Sequence, residues 1–154
     1  MIARYYTPKE DSNVTCELCP HNCYIKPDKS GACGVRKNIN GTLEVVCSGM
    51  IASSGLDPIE KKPLYHFFPG SKIFSVGGYG CNLKCAFCQN HDISQYIPEH
   101  SNGWKLIQPN DLVLKAKVLP ENIGIAYTYN EPTVFFEFMV QTAELAKQEN
   151  LKNI

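Results

Sequence analysis

The chain has 154 residues, of which 44% are hydrophobic, enough for one ordinary domain with its own core. Fifteen basic residues balance fifteen acidic ones, which excludes the electrostatic footprint of a protein whose main task is to grip nucleic-acid phosphates. No apolar signal segment opens the sequence, and no run approaches the roughly 20 apolar residues of a membrane helix. We therefore expect a soluble, cytoplasmic protein with no membrane partner.

Cysteine is the unusual part of the composition, with eight residues in the chain. Without a secretory signal, metal binding or catalysis explains them better than disulfides do. They also fall into groups. The first cysteine cluster comprises Cys16, Cys19, Cys23 and Cys33, the second cysteine cluster comprises Cys81, Cys85 and Cys88, and Cys47 stands alone between them.

The N-terminal part of the chain is short of apolar runs and rich in turn residues. Residues 12–38 cannot bury much apolar surface, so we expect a bound metal to give them order. Residues 43–47 are predicted to form a strand, from which Cys47 would face the core as a small hydrophobe. A connector rich in glycine and proline follows, and we treat residues 1–70 as a metal-binding module with its connector.

From residue 72 onwards, predicted strands and helices alternate. Strands are predicted at residues 73–77 and 123–128, and helices at residues 109–117 and 132–148. This alternation is typical of a parallel sheet, and a third strand is expected to begin at residues 151–154. We therefore expect residues 71–154 to be the first part of an α/β domain. We also expect the chain to be part of a longer protein and not necessarily active alone; the alternative is a complete small α+β domain.

The second cysteine cluster carries the most specific signal, and its loop reads GCNLKCAFCQN at residues 80–90. Three thiolates spaced C-x3-C-x2-C can each bind a different iron of a [4Fe–4S] cluster, leaving the fourth iron open to a small molecule. The loop follows a predicted strand, at the edge where α/β sheets place their sites. The alternative is a zinc site with His91 as the fourth ligand.

This motif, with Phe87 before its last cysteine, resembles the signature of the radical S-adenosylmethionine (SAM) superfamily. The resemblance implies that the open iron binds SAM, and that reductive cleavage of SAM starts radical chemistry on a substrate. It also implies that Phe87 flanks the adenine, whereas the residue pattern alone allows an ordinary core aromatic.

Other stretches resemble one subgroup, the radical SAM proteins of the AmmeMemoRadiSam system, which are related to pyruvate formate-lyase activating enzymes. These stretches read CELCPHNC at 16–23, GACG at 31–34, DPIEKKPLYH at 57–66 and YTYNEPT at 127–133. The implied fold is a partial parallel (β/α) barrel, here preceded by the cysteine-rich module. The kinship also implies an oxidoreductase that takes electrons from a flavodoxin or ferredoxin and activates a partner protein or a small molecule by hydrogen abstraction.

Asn130 and Glu131 follow the second predicted strand, on the same rim as the cysteine loop. The resemblance implies that this position holds the amino group of SAM, and a carboxylate suits an ammonium through a charge-assisted hydrogen bond. The sequence departs from the family's commoner Gly-Gly-Glu form. The alternative is that both residues cap the following helix.

The first cysteine cluster has the spacing C-x2-C-x3-C-x9-C. Four cysteines suit a closed structural zinc site, and they equally suit a saturated iron–sulfur cluster that relays electrons. His21 could replace one cysteine.

Lys61 and Lys62 are interpreted as a solvated pair or as neighbours of the SAM carboxylate. The remaining polar and aromatic candidates, His66 and His100 at the surface and Trp104 in the core, are assigned no role.

Three function classes stay open at this point. The resemblance favours a radical SAM enzyme. A non-catalytic iron–sulfur electron carrier would use the same cysteines without SAM, and a zinc-binding interaction module would hold zinc at both clusters.

Overall fold

The N-terminal module is built from short antiparallel strands. A computed structural model describes residues 1–97 and 106–154. Strands β1 (Tyr6–Pro8), β2 (Val14–Cys16) and β3 (Tyr24–Ile25) form one sheet, in which Tyr6 lies opposite Cys16. Strands β4 (Arg36–Ile39) and β5 (Thr42–Val45) form a hairpin. The Asn-Gly pair between them has positive φ at both residues, which a tight hairpin turn requires.

A small apolar core lies between this sheet and this hairpin. Its buried members are Ala3, Val14, Cys16, Ile25, Leu43 and Val45. Residues 12–38 supply three members of this core and, with Cys33 and Val35, two members of the core under the main sheet, so apolar packing contributes to their order; that a metal orders them stays a prediction. The strand predicted at residues 43–47 is confirmed but ends at Val45, and Cys47 is buried in a turn rather than in a strand.

The main sheet has the strand order β6 (Ser53–Pro58), β7 (Lys72–Gly77), β8 (Asn122–Tyr127), β9 (Lys152–Asn153). β7, β8 and β9 run parallel, as the alternation of elements predicted, and β9 is the expected third strand. β6 runs antiparallel to β7 and was not predicted, since its segment reads as a turn-rich connector. This pairing crosses residue 70, where we divided the chain.

Helices cover one face of the main sheet. They are α2 (Pro109–Val118) and α3 (Phe136–Gln148), with a 3₁₀ turn at Pro132–Phe135 leading into α3, and a short helix α1 (His91–Ser94) follows the loop of the second cysteine cluster. The core under them includes Phe74, Val76, Ile125, Leu112 and Phe138. Asn150 adopts φ +59° just after α3, in the left-handed conformation that ends many helices.

A buried ion pair joins the N-terminal module to α3. Arg36 donates from Nη1 and Nη2 to the two carboxylate oxygens of Glu137, at 3.0 and 2.9 Å. Both side chains are almost fully buried, at 2% and 3% exposure. The backbone of Arg4 completes the arrangement, since its N–H donates to Glu137 and its carbonyl accepts from Arg36. The module is thus tied to the helical layer.

The architecture is mixed α/β, with three small sheets in the described ranges 1–97 and 106–154. Closure into a partial (β/α) barrel stays a prediction. Within the same ranges, no helix combines the length and apolarity needed to cross a membrane. His100 and Trp104 lie outside the described residues.

Candidate metal and cofactor site

The loop of the second cysteine cluster leaves the carboxyl end of β7 and runs against the first cluster. Gly80 has φ +77°, and a Cβ there would lie 2.6 Å from the carbonyl oxygen of Cys33. Only glycine tolerates both the conformation and the close approach. Next along the chain, the carbonyl oxygen of Asn82 lies 2.7 Å from Nε2 of His21. The two cysteine loops are therefore in direct contact.

The three thiols of the second cluster differ in exposure. Cys81 is buried, Cys88 is half-buried and Cys85 is exposed. The N–H of Leu83 points at Sγ of Cys81 at 3.4 Å, and the hydroxyl of Ser94 lies 3.5 Å from Sγ of Cys88.

The fit of a metal to these residues rests on the donor set rather than on a preformed cage. In the part of the chain that the structure describes, no three His, Cys, Asp or Glu side chains are arranged as a ligand set. Binding of a cluster at this loop therefore requires the thiols to move together, and the exposed position of Cys85 leaves its side chain free of packing constraints. His91, the alternative fourth ligand, is exposed and lies beside Asp92.

Phe87 is the most exposed large apolar side chain of the cysteine loop, at 90%. The interpretation as a core aromatic is therefore wrong, because the loop carries Phe87 outward, away from the sheet. An exposed phenylalanine beside two cysteines is available to cover a bound ligand, and its role towards adenine stays a prediction.

Asn130 and Glu131 follow β8, and each has a defined partner. Asn130 Nδ2 donates to the carbonyl oxygen of Gly80 at 2.7 Å, so it contacts the cysteine loop directly. Its Oδ1 is buried without a hydrogen-bond partner among the described residues. Glu131 Oε1 accepts from the backbone N–H and the hydroxyl of Thr133, at 3.2 and 2.6 Å. Glu131 thus caps the 3₁₀ turn, as the alternative stated, whereas Asn130 binds the cysteine loop instead of capping the helix.

A cavity of about 440 Å³ lies at the carboxyl end of the parallel strands. Gln89 and Asn90 line it from the cysteine loop, Thr128 and Tyr129 from the end of β8, and Lys62 from the connector. Its volume falls in the range of small-molecule sites, about 300–1,000 Å³. Open α/β sheets bind ligands at this edge.

A charged cluster forms one wall of this cavity. Asp57, which is buried, accepts hydrogen bonds from Nζ of Lys61 and of Lys62 at 2.8 Å each, and from the hydroxyl of Tyr129 at 3.1 Å. Burial opposes ionisation of Asp57, but the two lysines outweigh it and hold the pKa of Asp57 well below its usual range. Burial and the bond to Asp57 raise the pKa of Tyr129. Lys62 is largely buried in this contact, at 10% exposure, so it is not solvated as we considered, whereas Lys61 stays largely exposed, at 62%.

The first cysteine cluster surrounds a second, much smaller cavity of about 20 Å³. All four of its cysteines line this cavity, together with His21, Arg36 and Asn82. The sequence therefore predicted the grouping of these cysteines correctly. The N–H of Ala32 points at Sγ of Cys23 at 3.4 Å. Burial raises the pKa of Cys33, whereas hydrogen bonds from the backbone N–H groups of Val35 and Arg36 lower it. Burial is the larger effect, so the pKa of Cys33 lies above its ordinary value.

Sequence reasoning considered Lys61 and Lys62 but missed three other charged residues at or near the two cavities, Arg36, Glu137 and Asp57. Burial alone would lower the pKa of Arg36, but the carboxylate of Glu137 and, less strongly, the thiol of Cys16 raise it. One signal was present in the sequence, since Glu137 is a charge within an otherwise apolar stretch of a predicted helix. The contact of Asp57 with Tyr129 left no local signal, because the two are 72 positions apart.

Comparison with known proteins yields uncharacterized relatives. No protein-family profile matches the chain, and no solved structure gives a significant match. The chain is 40% identical over 152 residues to the uncharacterized protein MJ0808 of Methanocaldococcus jannaschii, a match that covers 99% of the chain and 45% of that protein. The uncharacterized protein MJ0674 of the same organism is 34% identical over 91 residues, which are 55% of the chain and 22% of that protein. The chain thus spans less than half the length of the curated relatives it matches.

Proposed function

We infer that this chain belongs to a radical SAM enzyme and that Cys81, Cys85 and Cys88 hold its [4Fe–4S] cluster. The observation that carries the proposal is the position of the C-x3-C-x2-C loop. It leaves the carboxyl end of a parallel strand and continues into Gln89 and Asn90, which line a cavity of small-molecule size. When bound, the cluster and SAM would supply an organic radical that abstracts hydrogen from the substrate.

The residues of this chain would hold and orient these groups. Gly80 permits the turn that brings the loop against the N-terminal module. Asn130 fixes the loop from the end of β8 through its bond to the carbonyl oxygen of Gly80. Glu131 is held by Thr133 with its carboxylate at the same rim, where a charged oxygen would bind the ammonium group of SAM. Phe87 would cover the adenine.

The same proposal implies an electron donor, a cellular location and a type of substrate. A reduced flavodoxin or ferredoxin would supply the electron, and we expect the protein to meet this donor in the cytoplasm. The substrate would be a partner protein or a small molecule, from which the radical removes a hydrogen atom.

The test is electron paramagnetic resonance of the full-length protein, with its cluster reconstituted and reduced. We expect addition of SAM to change the spectrum, because a ligand of the open iron alters its electronic environment. A spectrum that SAM leaves unchanged would refute the enzyme and favour the electron carrier. A colourless protein with zinc at both clusters would favour the interaction module.

A further inference from the structure

The cavity of the first cysteine cluster is small, and among the described residues its thiols, like those of the second cluster, are not arranged as a ligand set. Its volume of about 20 Å³ is close to that of one water-sized sphere, for which about 10–15 Å³ is needed. A [4Fe–4S] core brings four irons and four sulfides, whereas a single metal ion occupies about the space of one atom. A single ion therefore requires a smaller movement of the four thiols than a cluster does, which favours the single ion.

The residues that line the cavity indicate which metal ion this is. Four cysteine thiolates form the ligand set of closed, tetrahedral zinc sites, and the short spacing from Cys16 to Cys19 is typical of them. Thiolates also select against calcium and magnesium, which prefer oxygen ligands. A zinc ion with four thiolates carries a net charge of about −2 by simple addition, and burying this charge requires donors around it.

Arg36 offers such a donor. Its Nη1 and Nη2 are used by Glu137 and the carbonyl of Arg4, at 2.7–3.0 Å. Its Nε is buried and has no hydrogen-bond partner among the described residues. Arg36 also lines the cavity together with Cys16. An unused N–H at a cavity of thiols is suited to a ligand thiolate, because it donates to the sulfur without binding the metal.

We propose that the first cysteine cluster binds one zinc ion through its four thiolates, and that Nε of Arg36 donates to one of them. Each thiol loses its proton as its sulfur binds zinc, so the protons pass to solvent and no electron is transferred. The zinc site would also affect the position of the second cysteine cluster. It fixes the loop that carries His21, which contacts Asn82 next to Cys81.

The first test is metal and sulfide analysis of the 154-residue chain carrying Cys81→Ala, Cys85→Ala and Cys88→Ala together. This variant lacks the second cluster, so its zinc content does not depend on whether the protein binds SAM. We expect about one zinc per chain and no acid-labile sulfide. Iron with sulfide, iron alone, or the absence of bound metal would each overturn the assignment.

A matched pair of variants locates the zinc. Adding Cys16→Ala to that chain should remove the zinc, because Cys16 lines the cavity. Adding Cys47→Ala should leave about one zinc, because Cys47 is equally buried but is not among the residues that line the cavity. Equal loss of zinc in the two variants would overturn the ligand assignment.

The role of Arg36 is tested by competition for zinc with a chromophoric chelator. Arg36→Lys keeps a positive charge for Glu137 but removes Nε, and we expect zinc to bind about 10–100-fold more weakly, the usual effect of losing an outer partner of a metal ligand. Glu137→Gln disturbs the same ion pair but keeps Nε, so zinc affinity should change much less. If both variants weaken zinc binding equally, Arg36 acts only through the ion pair.

Discussion

Asn130 and Gly80 are 50 positions apart, yet the side-chain amide of Asn130 donates to the carbonyl oxygen of Gly80 at 2.7 Å. This bond connects the ends of two neighbouring parallel strands, since Gly80 follows β7 and Asn130 follows β8. It lies beside Cys81, so the position of the first thiol of the second cluster depends on a residue outside the cysteine loop.

Asn130→Ala should lower the free energy of unfolding by about 1–3 kcal/mol, because the carbonyl of the buried Gly80 loses its donor. Urea denaturation measures this change, and Gln89→Ala serves as the control because Gln89 lies on the same loop without a bond to Gly80. We also expect less iron to be retained after reconstitution. Full stability and full iron content in the variant would show that the bond does not hold the loop.

Gly80 and Gly70 form a matched pair, since both have φ +77°, but an added methyl group would have neighbours within 4 Å only at Gly80. Gly70→Ala should cost about 1–2 kcal/mol for the left-handed backbone alone. Gly80→Ala should cost more, because its methyl group would meet the carbonyl oxygen of Cys33 at 2.6 Å. The midpoints of urea unfolding compare them, and equal costs would mean that the two cysteine loops separate easily.

Cys85→Ala and Glu131→Ala should separate cluster binding from SAM binding. Cys85→Ala removes an exposed thiol with little effect on packing, and we expect it to abolish the cluster, seen as loss of iron and of visible absorbance. Glu131→Ala should keep the cluster and weaken SAM binding, measured by titration of the reduced protein.

Thr133→Val is the control for the capping role of Glu131, because it removes the hydroxyl that Glu131 accepts from and keeps the carboxylate. We expect Thr133→Val to bind SAM more tightly than Glu131→Ala does. Equal SAM affinity in the two variants would leave Glu131 as a helix cap only. Loss of the cluster from Glu131→Ala would also contradict its assignment to SAM.

The pH dependence of stability should depend on Asp57. Its pKa is lower in the folded protein than in the unfolded chain, so the unfolded chain binds more protons below its ordinary pKa of about 3.9. The stability that ionised Asp57 contributes is therefore present above about pH 4 and is lost as the pH falls further. Asp57→Asn should reduce stability at neutral pH and flatten its decline in acid.

Urea unfolding between about pH 2 and pH 7 measures this effect over the window in which carboxylates titrate. Asp11→Asn is the control, because Asp11 is exposed. If the two variants have the same pH profile, the hydrogen bonds of Lys61 and Lys62 to Asp57 do not stabilise the folded state.

Periodicity along the sequence predicted the parallel part of the sheet well. The strand predicted at residues 73–77 begins one residue earlier in the structure, the strand predicted at residues 123–128 is shifted by one residue at both ends, and helix α2 extends one residue beyond its prediction. These elements could be predicted because their apolar residues recur at the regular spacing of a strand or a helix. β6 has none, because Gly55 and Pro58 interrupt it and its order comes from pairing with β7.

The candidate site, too, was predicted from the sequence only in part. The spacing of the cysteines predicted one metal site for the first cluster, and the four cysteines do line one cavity, because residues close in sequence stay close in space; the bound metal stays a prediction. The residues that support the site could not be predicted from spacing. Each supporting residue has a hydrogen-bond partner at least 50 positions away in the sequence: Asn130 bonds to Gly80, Arg36 to Glu137 and Asp57 to Tyr129. Nearer partners also exist, namely the two lysines for Asp57 and the backbone of Arg4 for Arg36.

The pairing of Arg36 with Glu137 also constrains the order of events during synthesis. The two residues are separated by 101 positions, so the guanidinium leaves the ribosome long before its carboxylate exists. Until α3 is made, the hairpin of β4 and β5 must keep this charge in water, since an unpaired buried charge is costly. The N-terminal module would then reach its final packing late, and a chaperone or a bound metal ion would have time to act on it first.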